Sequence, residues 1–139
     1  MDYIFAKERA IKYIGISKKS IGEVVRKLKS LGIDSLTISR VIENLKELDY
    51  LDDIKYTEAF VRQSVNMQKY SKFELKQKLL QKLVNIDIIE NVIGRLVDED
   101  YEARVTKSLI NGKLKNYEDI KKKEYLYRRG FEKIKIEGD

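Results

Sequence analysis

The residues of this chain best suited to acting on another molecule are clustered cations. Lys72 and Lys76 stand four residues apart, Lys121, Lys122 and Lys123 are consecutive, and Arg128 and Arg129 follow shortly after. Spacings of three and four place side chains on one helix face, so these seven outline a candidate basic strip. Its chemistry is ion pairing with phosphate oxygens or with an acidic protein face; no bond is made or broken. The paired carboxylates, Asp52-Asp53 and Glu118-Asp119, are sequence neighbours that diverge around a helix. Asp52 or Asp53 is placed to cap a helix rather than to share acid–base work. The chain has no histidine and no cysteine, which removes the commonest general base, metal ligand and thiol nucleophile together. No glycine-rich loop of phosphate-cradling spacing is present. An enzyme is therefore not expected, and neither is a metal, a cofactor or a small-molecule substrate.

The elements that must carry these cations are helical. The 139 residues include no proline, few glycines and abundant Leu, Ile, Lys and Glu, a balance that favours helices joined by short turns. An apolar fraction of 42% supports a packed core despite a net charge of +6. No apolar run approaches the length of a bilayer span. The start, Met1-Asp2-Tyr3-Ile4-Phe5-Ala6-Lys7-Glu8, is charged from its second residue and lacks a signal-peptide core. The expected location is cytoplasmic, without membrane contact, and the expected state is a monomer.

Sliding the chain on itself by 51 positions aligns residues 20–50 with 71–101 without a gap, and ten of the thirty-one pairs are identical. Unrelated sequences of this composition would share about two or three. Ser20-Ile21-Gly22-Glu23 and Ser71-Lys72-Phe73-Glu74 both match a capping box at a helix start. Ile21, Val24, Val25, Leu28 and Leu31 then mark an apolar face. A break follows at Leu31-Gly32-Ile33, or at Leu83-Val84 in the second copy. Asp34 or Ser35, and Asn85, can cap the next helix. Its stripe is Ile38, Val41, Ile42, Leu45 and Leu48, echoed by Ile89, Val92, Ile93, Leu96 and Val97. Ahead of each pair lies another helix, near residues 3–14 with Ala6, Ala10, Ile11 and Ile14, and near 53–69 with Ala59, Phe60 and Val65. A weaker third copy follows: a 47-residue shift carries Leu79, Val84 and Ile89 onto Leu126, Phe131 and Ile136. Asn111-Gly112 is a turn signal that can end the seventh helix early.

The expected fold is all-α, with tandem three-helix repeats in an elongated or curved array. The units are residues 1–52, 53–100 and 101–139, the last short of its final helix. Ile21 and Val25 fall in the middle of the apolar face of their helix, whereas Lys72, Lys76 and Lys123 hold the corresponding places later on. Either that face is open in the later units, forming the basic strip, or the lysine stems lie over a slightly rotated core. Tyr50, Tyr56, Tyr70, Tyr101, Tyr117, Tyr125 and Tyr127 fall near helix junctions, where they are expected to pack between units with their hydroxyls at the surface.

Within this frame Tyr50-Leu51-Asp52-Asp53-Ile54-Lys55-Tyr56-Thr57-Glu58-Ala59-Phe60-Val61 resembles the "GYLnD-x-x-aA-x-x-F/Y-V" signature of the bacterial RecX regulatory proteins. Tyr125-Leu126-Tyr127-Arg128-Arg129-Gly130-Phe131 is similar to that family's "yL-x-RRGF" box, and residues 71–79 to the segment between. The resemblance spans nearly the whole chain. It implies tandem three-helix repeats and a structural role for Tyr50, Leu51, Asp52, Asp53, Gly130 and Phe131. It further implies a modulator, usually an inhibitor, of the RecA recombinase. Such a protein binds the RecA filament on single-stranded DNA and damps ATP hydrolysis, strand exchange and co-protease activity, and so affects recombination, repair and the SOS response. Some members also bind DNA directly. The chain departs from the family at Leu83-Val84, where a "kGI" turn is common, a difference expected to alter local geometry only.

A different class of function is a free-standing DNA-binding protein, since three-helix units can carry helix-turn-helix readers. Residues 37–48 and 87–99 would be the reading helices. They hold no fewer acidic than basic side chains, which opposes insertion beside phosphates.

Overall fold

Ser20 and Ser71 do what their position predicts. Each hydroxyl accepts from the amide of the glutamate three residues on, and that glutamate accepts from the serine amide, closing a capping box at 2.9–3.1 Å. These two boxes open the second helix of the first and second units in the computed structural model, which describes residues 2–134. Eight helices lie among the described residues: α1 (Asp2–Ile16), α2 (Ile21–Ser30), α3 (Ser35–Glu47), α4 (Asp53–Met67), α5 (Lys72–Gln81), α6 (Ile86–Leu96), α7 (Tyr101–Asn111) and α8 (Asp119–Arg128). Asp34 caps α3, Asp52 caps α4 and Asn85 caps α6. Helix α7 ends at the Asn111-Gly112 signal. Ile136, the expected start of a ninth helix, lies outside the described residues.

Helices α1, α2 and α3 pack on one another, and so do α4, α5 and α6. The first group encloses Ala6, Ala10, Val24, Leu28, Val41 and Leu45. The second encloses Val61, Leu75, Leu79, Ile89 and Val92, and its core runs on without a break into Tyr101, Val105, Leu114, Leu126 and Phe131 of α7, α8 and their loops. Two helices cannot enclose a core by themselves, so the third group shares that of the second. Helix α4 turns Thr57, Val61 and Ser64 inward, whereas periodicity pointed to Ala59, Phe60 and Val65; of these, Ala59 is exposed and the others half-buried.

Each second helix ends in the same turn. The amides of Ile33, Val84 and Phe131 donate to the carbonyls of Leu28, Leu79 and Leu126, and those of Gly32, Leu83 and Gly130 to the carbonyls three residues back. This is the Schellman arrangement. Its left-handed residue is Gly32, Leu83 or Gly130, at φ of 81°, 64° and 86°. The leucine at position 83 therefore preserves the glycine geometry instead of altering it, at a backbone cost of roughly 1 kcal/mol.

That turn is also where successive units meet. An ideal Cβ on Gly22, the second residue of α2, would lie 2.6 Å from Leu83 Cβ and 2.7 Å from Leu83 O. One on Gly130 would lie 2.6 Å from Cβ of Phe73, the second residue of α5. The two junctions are equivalent, yet the glycine sits on opposite sides of them. Around this contact the Ser20 hydroxyl donates to Lys82 O and the Ser71 hydroxyl to Arg129 O. The Ile21 amide donates to Asp53 Oδ1 at 2.8 Å, and the Lys72 amide to Glu102 Oε2 at 3.0 Å.

The repeat alignment fails at one place. Helix α3 has 13 residues and α6 has 11, so the identical pair Tyr50/Tyr101 is not equivalent in space. Tyr50 precedes α4 and is exposed, whereas Tyr101 is in the first turn of α7 and fully buried. The Tyr101 hydroxyl is not at the surface as expected. It donates to Tyr70 O at 2.6 Å.

Gly130→Leu should lower the melting temperature sharply by clashing with Phe73. Adding Phe73→Gly, which transplants the first junction's arrangement, should recover part of the loss, with a coupling of about 1–2 kcal/mol by thermal or urea unfolding. Additive effects would show that the close approach does not control the junction. Tyr101→Phe should cost about 1–2 kcal/mol because Tyr70 O loses its partner in the core; urea unfolding followed by circular dichroism reads this directly.

Candidate functional site

The seven residues of the basic strip do not form one open surface. Val24 and Leu28 hold the middle of the α2 core face, as Leu75 and Leu79 do in α5, and all four are fully buried. Ile21 and Val25 lie half-buried at its rim, which is where Lys72 and Lys76 sit in turn. No exposed aliphatic face is needed to explain these lysines. Both line a cleft of about 360 Å³ that Phe73 and Gly130 also border, but Glu90, Glu102 and Glu132 line it too. Lys76 Nζ lies 3.2 Å from Glu90 Oε1.

On α8, Lys121 pairs with Glu124 at 3.6 Å and Lys122 with Asp119 at 3.7 Å. Lys123 is half-buried and Arg128 exposed. Arg129 belongs to the junction. Its Nε donates to both Glu74 oxygens at 3.2 Å, Nη2 donates to Glu74 Oε1 at 2.9 Å and to Lys69 O, and the guanidinium lies over Tyr125 and Phe131. Arg129 is thus an internal strut between the second and third units, corresponding to the looser Lys82–Glu23 pair at 4.0 Å in the first junction.

Four of the signature residues take part in packing or hydrogen bonding within the fold. Leu51 and Phe131 are buried, Asp52 accepts from the Lys55 amide at 3.0 Å, and Asp53 joins α4 to α2. Burial, opposed by the bond from Ile21, pushes the Asp53 carboxyl above its ordinary range. Tyr50, by contrast, borders a cleft of about 290 Å³ with Lys18, Lys19, Lys55 and Tyr56.

Lysines without carboxylate partners gather elsewhere, beside tyrosine rings. Lys19 and Lys27 lie 4.6 and 5.6 Å from the Tyr13 ring centre, Lys78 and Lys69 lie 4.5 and 5.7 Å from that of Tyr70, and Lys113 and Arg129 lie 5.0 and 5.6 Å from that of Tyr125. None of these five lysines joins an ion pair among the described residues. Each unit therefore holds two cations within about 11 Å of each other over one tyrosine. A cation–π contact at an exposed site is worth about 0.5–1 kcal/mol. Two unit charges about 10 Å apart in water repel by about 0.4 kcal/mol. At Tyr125 the Lys113 ammonium donates to the phenol oxygen at 2.9 Å, and this bond, aided by Arg129, pulls the hydroxyl below the usual tyrosine range.

Of these cations only Lys27 and Lys78 occupy equivalent positions in the repeat; Arg129 corresponds to Lys82, and Lys113 to Asn66. The chain alone shows the lysine pair Lys27/Lys78 as a repeat identity. It conceals the cluster because the ring comes from α1 in the first unit, from the α4–α5 connection in the second and from α8 in the third.

The Glu74–Arg129 strut makes a pH prediction. Burial raises the Glu74 carboxyl, but the Arg129 hydrogen bonds and the Ser71 amide outweigh it and hold it below its ordinary range. A depressed carboxyl contributes stability above its unfolded value, about 4.3, and loses it as pH falls through the folded one. The melting temperature should therefore drop less between pH 5 and pH 3 in Glu74→Gln than in the parent. Equal slopes in the two proteins would remove the strut from the acid response.

The family model described as "RecX, second three-helix domain" matches residues 52–93, which hold α4, α5 and most of α6. The chain is 30% identical over 128 residues to the regulatory protein RecX of Caldanaerobacter subterraneus subsp. tengcongensis, covering 91% of this chain and 56% of that protein. It is 30% identical over 134 residues to that of Lactobacillus gasseri, covering 91% and 49%. The chain spans about half the length of the curated relatives it matches. The crystal structure of RecX from Lactobacillus salivarius is similar with a TM-score of 0.77 at 26% identity, over 94% of this chain and 88% of that one. Sequence likeness across all three helical groups, a matching second domain and a common arrangement of helices converge: the chain belongs to the RecX family of regulatory proteins.

Proposed function

We propose that this protein is a stoichiometric regulator of the RecA recombinase. It binds the RecA filament on single-stranded DNA and damps ATP hydrolysis, strand exchange and co-protease activity. In this reading it acts in the bacterial cytoplasm on recombination, DNA repair and the SOS response. The observation that carries the reading is the likeness to proteins named as RecX regulators over 91% of the chain. The geometry agrees with it. The working units, residues 1–52, 53–100 and 101–139, are joined by hydrogen-bonded junctions rather than loose linkers, so a single chain can present several surfaces at fixed spacing to a repeating partner. Of the basic strip, Lys72, Lys76 and Arg128 are the side chains offered to the filament protein. Lys121, Lys122 and Lys123 extend the cationic surface along α8, while Arg129 braces the junction through Glu74.

RecA-dependent ATP hydrolysis on single-stranded DNA, measured with substoichiometric amounts of this protein, tests the reading. Hydrolysis should fall, and Lys72→Glu, Lys76→Glu and Arg128→Glu combined should weaken the effect several-fold with helicity unchanged. Unaltered hydrolysis together with tight, sequence-specific duplex binding would instead support a helix-turn-helix protein acting without RecA.

A further inference from the structure

We propose that the outer face of α3 docks a segment of the filament protein that carries an aliphatic side chain and, next to it, a basic one. The proposal rests on the regulator reading for its partner. It adds a second contact, opposite in charge to the strip at Lys72, Lys76 and Arg128.

Spacings of three and four put Leu36, Ser39, Arg40 and Glu43 on one face of α3. Two clefts flank that face, and Ser39 and Glu43 border both. The cleft toward α2 has a volume of about 280 Å³ and a floor of Val25, Ile38 and Ile42. The cleft toward α1 has a volume of about 360 Å³, with Tyr3, Asn44 and Glu47 in its lining. Leu36 stands on the same face, 71% exposed.

The repeat supplies an internal comparison. Helix α6 is the equivalent of α3, and positions 39, 40, 43 and 44 become Glu90, Asn91, Gly94 and Arg95. There the fold closes the face by itself. Glu90 bridges to Lys76 of α5 at 3.2 Å, Arg95 reaches Glu58 of α4 at 3.0 Å, and Asn91 accepts from Arg95 Nε at 2.9 Å. In the first unit Val25 and Ser39 stand where Lys76 and Glu90 make their bridge, so no ion pair spans the seam there. Glu43 pairs only within its own helix, with Lys46 at 3.5 Å. Asn44 Oδ1 is buried without a hydrogen-bond partner among the described residues, an acceptor that a bound donor would satisfy. The same positions are thus self-satisfied in one unit and uncommitted in the other.

The chemistry of the clefts names the occupant. Val25, Ile38 and Ile42 take an aliphatic side chain, as a groove between helices takes an apolar anchor. Glu43, Glu47 and the Asn44 carbonyl present acceptors to a lysine or arginine beside it. Arg40 does not neutralise them: its guanidinium lies over the Tyr3 ring at 5.1 Å and joins no ion pair among the described residues. Carboxylates at this place repel a phosphate backbone, so the ligand is protein and not the strand.

The test measures binding of the full chain to RecA filaments assembled with a slowly hydrolysed ATP analogue on tethered oligothymidylate, the bare strand serving as reference. Ser39→Trp blocks both clefts from an exposed position and should weaken filament binding about tenfold. Gln63→Trp, also exposed but on α4, should leave binding near the parent value. Glu43→Lys with Glu47→Lys should weaken it about tenfold as well, and the corresponding Gln pair about threefold. That sign is diagnostic, because the filament holds a polyanion and nonspecific attraction would favour the more cationic variant. Circular dichroism checks helicity, and the Gln pair serves if the Lys pair fails to fold. Parent-like binding by Ser39→Trp, an equal loss in Gln63→Trp, or tighter binding by the Lys pair would overturn the docking face and leave the regulator reading in place. A parent chain that neither binds the filament nor lowers its ATP hydrolysis sinks that reading, and the docking face with it.

Discussion

The close backbone approach at each junction is the constraint on which this array depends. A left-handed turn residue from one unit lies against the second residue of the preceding unit's second helix, at a distance where two β-carbons cannot coexist. Sterics leave two solutions, glycine on the helix or glycine on the turn, and the chain uses one at each junction. Placing the glycine on the helix, as the first junction does, has a cost on both sides. Gly22 weakens its helix by roughly 1 kcal/mol, and Leu83 accepts a left-handed backbone. Both are tolerable because the turn's own hydrogen bonds, from Val84 to Leu79 and Phe131 to Leu126, fix the chain there regardless.

Once the backbones are this close, the remaining polar groups have little freedom. The capping serine must accept from its helix and can donate only to the facing turn carbonyl. The first helical amide, unsatisfied within its own helix, finds the carboxylate that opens the next unit. The N3 glutamate, already in its capping box through Oε1, also meets a cation from the turn: Glu23 through Oε2, and Glu74 through both oxygens. Arg129 meets it as a fork and Lys82 as a point charge, which accounts for the tighter second junction. Glu23, Asp53, Glu74, Lys82, Glu102 and Arg129 are consumed in this way, as internal wiring of the array.

That consumption explains what could and could not be read in advance. The capping boxes, the helix starts at Ser35 and Ile86, and the three-helix unit follow from local spacing, and they are legible because a cap and a periodic face are properties of neighbouring residues. The burial of Tyr101 was concealed because α6 is two residues shorter than α3, a difference no ungapped alignment reveals. Arg129 reads as a surface cation in an arginine pair, yet only the fold brings Glu74 to it across 55 positions of sequence. The tyrosine clusters were hidden for the same reason: only Lys27 and Lys78 repeat, and each ring is recruited from a different element.

The distribution of charge then has a physical logic. Cations at the junctions sit beside buried or half-buried carboxylates, and removing either partner would strand a charge in a poorly solvated place. Lys19, Lys27, Lys69, Lys78 and Lys113 lie beside tyrosine rings, which offer a quadrupole but no countercharge. Residues 101–139 carry eleven basic against seven acidic side chains, while residues 1–100 hold eighteen against sixteen. The excess therefore grows toward the third group, whose core is borrowed from the second. An array built this way spends ion pairs on rigidity at its junctions, so a basic residue such as Arg129 is structural there whatever the net charge of the chain.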